Sequence, residues 1–130
     1  MNYVVDTHTL LWYVTSDKQL SSRVEKILDE AHHKVNSIII LPSIVLMEAI
    51  DVLEKGKVSY RIDEFLNAMQ NGGQYELAPI SWGIIEEYRK IDTVLEIHDR
   101  LIVATALQWN ARILTKDAEI SKFYPQIVVW

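Results

Sequence analysis

Asn2-Tyr3-Val4-Val5-Asp6-Thr7-His8-Thr9-Leu10-Leu11-Trp12 is the stretch that decides how the chain is read. Its apolar run Tyr3-Val4-Val5 stops at an acid and passes at once into a helical pattern through Leu10, Leu11 and Val14. A short apolar run ending this way reads as a buried parallel strand, roughly Asn2 to Val5, feeding a helix. Far along the chain, Ile113-Leu114-Thr115 is followed by Asp117 at the same kind of strand-to-helix junction. In open α/β sheets, ligands bind in the crevice outside the carboxyl ends of the strands. Two acids at two such ends are expected to face one place.

The pattern between these junctions repeats the alternation. Ser22-Arg23-Val24-Glu25 has the spacing of a capping box and opens a helix with Val24, Ile27, Leu28 and Ala31 on one face. Val35 to Leu41 reads as a second buried strand. Pro42 then suits the first turn of a third helix that runs to about Lys55, where Gly56 stops it. Ser59 to Asn71 carries the stripe Ile62, Phe65, Leu66, Met69, closed by Gly72-Gly73. Tyr75 to Ile80 reads as a third strand, and Ser81 caps a helix through Ile84, Ile85 and Tyr88. His98 to Trp109 is nearly apolar after its first turn, as a helix buried on several sides must be. Ile113 to Thr115 and Ile127 to Trp130 bring the count to about five strands. Strands alternating with helices predict an α/β fold: one domain, 1–130, with a parallel sheet flanked by helices on both faces.

Composition narrows the chemistry. With 130 residues the chain can bury a sizeable core. It has no cysteine, which excludes disulfides, thiolate metal sites and cysteine nucleophiles. No apolar stretch approaches the length that spans a bilayer, and no cleavable leader precedes the first strand, so a cytoplasmic protein is expected. The formal net charge of −5 speaks against nucleic acid on its face. That objection weakens if four of the acids belong to a metal site, because the remainder is then near neutral.

Four acids stand out: Asp6, Glu48, Asp99 and Asp117. Asp6, Asp99 and Asp117 each sit where a helix begins, so capping or the helix dipole explains each one singly. Glu48 lies among Ile44, Val45 and Val52, where a charge requires a cation, an arginine such as Arg100, or a proton. Converging carboxylates repel one another unless a divalent cation sits among them. Thr7, Arg100, Thr115 and Lys116 are the neighbours placed to contact phosphate or steady the acids. The histidines lack the i, i+4 spacing of a helical zinc site. Trp12, Trp82 and Trp109 fall in helical apolar patterns and are expected in core or interface. No G-x-G-x-x-G, P-loop or G-x-S-x-G is present, so nucleotide-cofactor and serine-hydrolase chemistry lack their parts.

The residues that carry these acids resemble a known family. Val5-Asp6-Thr7-His8-Thr9-Leu10-Leu11-Trp12, Pro42 to Glu48, His98-Asp99-Arg100-Leu101-Ile102-Val103-Ala104-Thr105-Ala106 and Leu114-Thr115-Lys116-Asp117 occur in the order of a PIN domain. The chain is especially similar to the VapC-type toxins of toxin–antitoxin pairs. The resemblance implies a Mg²⁺- or Mn²⁺-dependent endoribonuclease, with metal and catalytic roles at Asp6, Glu48, Asp99 and Asp117, an RNA substrate, an antitoxin partner and a homodimer. Glu96-Ile97-His98-Asp99 departs from the Asp-Pro-Phe-Asp form common in this branch, which bears on the loop and not on the acid. Three other readings stay open. A receiver-like module would want a phosphorylatable Asp where Pro42 stands. A phosphohydrolase with Asp6 as nucleophile would want a second Asp where His8 stands. A non-catalytic PIN-like interaction module has no need of the acids.

Overall fold

The computed structural model describes residues 1–33, 37–91 and 93–130. Its elements are β1 (Asn2–Val5), α1 (Thr7–Val14), α2 (Ser22–His32), β2 (Ile38–Pro42), α3 (Ser43–Glu54), α4 (Ile62–Asn71), β3 (Tyr75–Ala78), α5 (Trp82–Lys90), α6 (Ile97–Gln108), β4 (Arg112–Leu114), α7 (Ala118–Phe123) and β5 (Val128–Val129). All strand pairings are parallel, in the order β3-β2-β1-β4-β5. This is the five-stranded α/β sheet that the alternation predicts.

The sheet is apolar through its middle because it is covered on both faces. Tyr3 to Val5, Ile39 to Leu41 and Ile113 to Leu114 are all buried. Strand β3 lies at an edge and exposes Glu76 and Leu77. Helix α6 packs on β1, β2 and β4 and on α3 and α5. It buries Ile102, Val103, Ala104, Thr105 and Ala106 in succession, as its unbroken apolar sequence requires.

The strand order positions the site. From β1 the chain steps outward through β2 to β3, then returns past β1 to form β4 and β5 on the other side. The order therefore reverses between β1 and β4, and their carboxyl ends carry Asp6 and Thr115 to Asp117. Such a switch point opens a crevice, because the helices after the two strands leave toward opposite faces.

Local differences from the sequence reading have simple causes. The cap of α2 is Ser21, whose hydroxyl accepts from the Val24 amide at 3.1 Å, so Ser22 and Glu25 form no capping box. Two adjacent serines offered the same side chain, and the earlier one has the extended backbone a cap needs. Pro42 ends β2, pairing with Ala78, and α3 begins one residue later. Helix α4 begins at Ile62, after Arg61, not at Ser59. Among the described residues β2 starts at Ile38; the expected strand residues Val35 and Asn36 lie outside them. Gly56 closes α3 with φ +69°, a left-handed conformation that costs glycine little.

Helix α4 is attached to the body mainly through Phe65 and Met69, its two buried residues. Phe65→Ala should lower the unfolding free energy by about 3–5 kcal/mol, the cost of a large buried aromatic truncated in a packed core. Urea denaturation checks this, and a loss below about 1 kcal/mol would mean that α4 is not part of the cooperative core.

Candidate active site

Asp6 caps α1. Its Oδ1 accepts from the Thr9 amide at 2.9 Å, and its Oδ2 accepts from the Thr115 hydroxyl. The sequence leaves that second oxygen free; the fold gives it to the neighbouring strand. Thr115 is fully buried, and its Oγ1 also accepts from the Asp117 amide at 3.0 Å. Asp117 in turn caps α7, taking the Ile120 amide at 2.8 Å. One hydroxyl thus ties together the ends of β1 and β4, the two acids that follow them, and the starts of two helices.

Glu48 arrives from α3. The buried face of that helix is Val45, Ala49 and Leu53, with Ile44 and Val52 at its margin. Glu48 stands at the same margin and is half-buried, not in the centre of the stripe. Its Oε1 accepts from the Thr7 hydroxyl at 3.0 Å, and its Oε2 is 3.9 Å from His98 Nδ1. Thr7 is buried and steadies Glu48; Asp6 does the capping.

Asp99 lies in the first turn of α6. Burial first, and then the charges of Asp117, Glu96, Asp6 and Glu48, together push its carboxyl up to about 6. Acids from four separate stretches of chain therefore act on one carboxyl. Glu96, just ahead of the helix, is not among the four acids that stand out in the sequence. It caps α6, its Oε1 accepting from the Asp99 amide at 3.1 Å, and its Oε2 is 3.1 Å from His98 Nδ1. Its position three residues before Asp99 was the available signal, masked because glutamate is not a favoured cap.

The basic candidates divide. Arg100 turns away from the acids: its Nη2 donates to the Tyr88 and Ile91 carbonyls at 3.0 and 3.4 Å, and its guanidinium lies 3.9 Å from the Tyr88 ring centroid. It fastens α6 to the end of α5 and does not neutralise Glu48. Lys116 is exposed beside Asp6 and Asp117, with its ammonium 6.0 Å from the Trp12 ring centroid. Trp12 and Trp109 are half-buried, whereas Trp82 is 81% exposed, so of the two positions expected for it, core or interface, the core is excluded. Trp82 opens α5 on its solvent side, where the buried face comes from Ile84.

Chemically, the donor set is all carboxylate oxygen, which suits a hard divalent cation. Among the described residues, no three acidic or histidine side chains stand close enough to close a ready-made metal cage. Mg²⁺ does not require such a cage. That ion keeps several waters and is held by one or two carboxylates together with substrate phosphate, not by a dedicated protein cage.

A PIN domain family model matches residues 3–124. The chain belongs to the PIN domain family. PIN domains are nucleases, and Asp6 and Asp117 of this one follow the two strands at the switch point. Its backbone is similar to that in the crystal structure of VapBC2 from Rickettsia felis bound to a DNA fragment from their promoter. The TM-score is 0.72 at 19% identity, over 99% of this chain and 98% of that one. No curated protein sequence matches this PIN domain.

The raised Asp99 carboxyl has a consequence for stability. Its folded value, about 6, lies above its ordinary value of 3.8, so the folded state binds the proton more tightly than the unfolded state. The resulting penalty is absent below about pH 4, grows as pH rises to about 6, and stays in full above it. In metal-free protein with chelator, Asp99→Asn should therefore gain stability over the wild type across that window. The gain is on the order of 1 kcal/mol at neutral pH after discounting for solvent screening. Thermal melts from pH 4 to 7.5 measure it, and a pH-independent difference would show that Asp99 is not electrostatically crowded.

Proposed function

We propose that this PIN domain is a Mg²⁺- or Mn²⁺-dependent endoribonuclease and the toxin of a toxin–antitoxin pair. The observation that carries the nuclease reading is the pair of acids Asp6 and Asp117 joined through Thr115 at the switch point, with Glu48 held by Thr7 beside them and the Asp99 carboxyl raised by burial and by their charges. A fold that needed these acids only as helix caps would have no reason to gather them in one crevice and accept the repulsion.

In this reading Asp6 and Asp99 would hold the cation, with Glu48 and Asp117 assisting. What a divalent ion supplies when bound there is neutralisation of phosphate charge and an attacking water more acidic than bulk water. The chain's own residues do the positioning. Thr115 fixes the rotamer of Asp6, Thr7 fixes Glu48, and the α6 cap at Glu96 fixes the turn that carries Asp99. Such supporting hydrogen bonds are worth about 10- to 100-fold in metal affinity or activity. Lys116, exposed at the rim, is placed to meet a phosphate of the strand. No side-chain nucleophile is needed.

The acidic crevice favours RNA that reaches it unpaired, since sequence-specific proteins generally meet RNA in loops and single strands. The toxin reading rests on the likeness to the toxin fold in VapBC2 and on the four motif blocks in order. An antitoxin would silence the enzyme most directly with a basic side chain among these acids. A homodimer is part of the same proposal. Among the described residues no helix is long and apolar enough to cross a membrane, and a cytoplasmic site of action is proposed with the toxin role.

Mg²⁺ or Mn²⁺ should raise the melting temperature of the wild type. The stabilisation is about 2.7 kcal/mol at a metal concentration a hundredfold above Kd, and Asp6→Asn and Asp99→Asn should abolish it. With either ion the wild type should cut unpaired RNA, and the two variants should not. Full cleavage in chelator, or cleavage undiminished in both variants, would contradict the assignment. On expression, growth arrest relieved by Asp6→Ala at equal protein abundance is the expected mark of a toxin.

A further inference from the structure

Beside the acids lies a cavity of about 420 Å³, walled by Asp6, His8, Trp12, Gln19, Lys116 and Asp117. Its volume falls within the range of ordinary ligand pockets, which begins at roughly 300 Å³. Only one end of it is acidic. The rest presents an indole, an imidazole, an amide and an ammonium, which the chemistry of the acids does not use.

We propose that this cavity is a nucleobase subsite: it takes one base flanking the scissile phosphate, stacked on Trp12, with its edge read by Gln19. The proposal rests on the nuclease reading and deepens it by naming the residues that choose the sequence cut.

The aromatic wall is held in place. Trp12 meets Trp130 edge-on at 6.0 Å between centroids, and His8 meets Trp12 in a T-shape at 5.9 Å and 88°. An indole held through such contacts is a fixed platform, and unpaired bases are bound by stacking on such rings. Gln19 is exposed and offers both a donor and an acceptor, the pair needed to read a base edge. Its backbone is tied to the platform. The Asp17 amide donates to the Trp12 carbonyl at 2.9 Å, and Asp17 Oδ1 accepts from the Gln19 amide at 2.8 Å. The turn that carries Gln19 is thus registered against Trp12 itself.

Lys116 completes the arrangement. Its flexible ammonium hangs 6.0 Å from the Trp12 centroid, within reach of the phosphate that joins a stacked base to the nucleotide over the acids. The cavity shares Asp6 and Asp117 with the crevice. A chain whose phosphate lies at the acids therefore has its next base at the mouth of the cavity.

Cleavage of a randomised single-stranded RNA pool is compared for wild type, Gln19→Ala, Lys116→Ala, Trp12→Ala and Trp12→Phe, with folding checked by thermal melts. Wild type should prefer certain bases at one position next to the cut, and Gln19→Ala should flatten that position alone. Trp12→Ala should raise KM about tenfold or more with kcat little changed, as loss of one stacked base predicts, while Trp12→Phe keeps most of the affinity. Lys116→Ala should reduce the salt slope of binding by about 0.7, the value for one single-strand phosphate contact.

Binding is also read without turnover, in the Asp99→Asn protein. A short oligonucleotide should quench tryptophan fluorescence, and adding Trp12→Phe should remove that quench. Since Trp12 also packs on Trp130, Gln19→Ala and Lys116→Ala keep the test decisive if Trp12→Ala fails to fold. Cleavage with KM, base preference and salt slope unchanged in the folded variants would overturn the subsite and leave the nuclease standing. A wild type that cuts no RNA, yet shows the Trp12-dependent quench, would overturn the nuclease reading and leave a base-binding site.

Discussion

The buried hydroxyl of Thr115 is the contact on which the rest of the site depends. It donates to Asp6 at the end of β1 and accepts from the Asp117 amide after β4, across the pair of strands where the sheet order reverses. Those two strands are neighbours in the sheet and more than a hundred residues apart in sequence. Removing the hydroxyl would leave a part-buried carboxylate oxygen and a backbone amide without their partner, at up to about 1–3 kcal/mol, the cost of a fully buried unsatisfied group. It would also free the rotamer of the acid on which the proposed chemistry turns. Structure and proposed function share one hydrogen-bonded junction.

The electrostatics point the other way. Asp99 is crowded by burial and by four neighbouring acids, and nearby arginine relieves none of this because Arg100 is spent on Tyr88 and Ile91. The fold therefore accepts local destabilisation where the caps at Asp6, Glu96 and Asp117 hold the acids in place. Asp6, Glu96 and Asp117 each cap a helix and also act on the Asp99 carboxyl. A cap engages one oxygen and fixes the side chain, so the structural explanation of each acid and the functional one do not compete.

Much of this was legible in the sequence because two periodicities and a few punctuating residues carry it. The apolar runs Tyr3-Val4-Val5 and Ile113-Leu114 are buried strands, and Asp6 and Asp117 follow them as the alternation implies. Glu48 was conspicuous as a charge among apolar neighbours, and Thr7 answers it. What could not be read were contacts between residues distant in sequence. The Thr115–Asp6 bond depends on the strand order, and the turn of Arg100 toward α5 depends on how that helix ends. For Trp82 the sequence left core and interface open, because an isolated helical pattern does not say which side of its first turn faces water. The choice between Ser21 and Ser22 as cap rested on one backbone torsion.

The carboxylates at the β1–β4 switch point are proposed to form one site for a divalent cation. Crystals grown or soaked with Mn²⁺ and measured at the manganese absorption edge test it most directly. An anomalous peak bounded by the Asp6 and Asp99 carboxylates, with Glu48 or Asp117 beside it, is expected, and no such peak in the Asp6→Asn protein. A crevice without manganese at concentrations that support RNA cleavage, or a peak held by residues elsewhere, would contradict it.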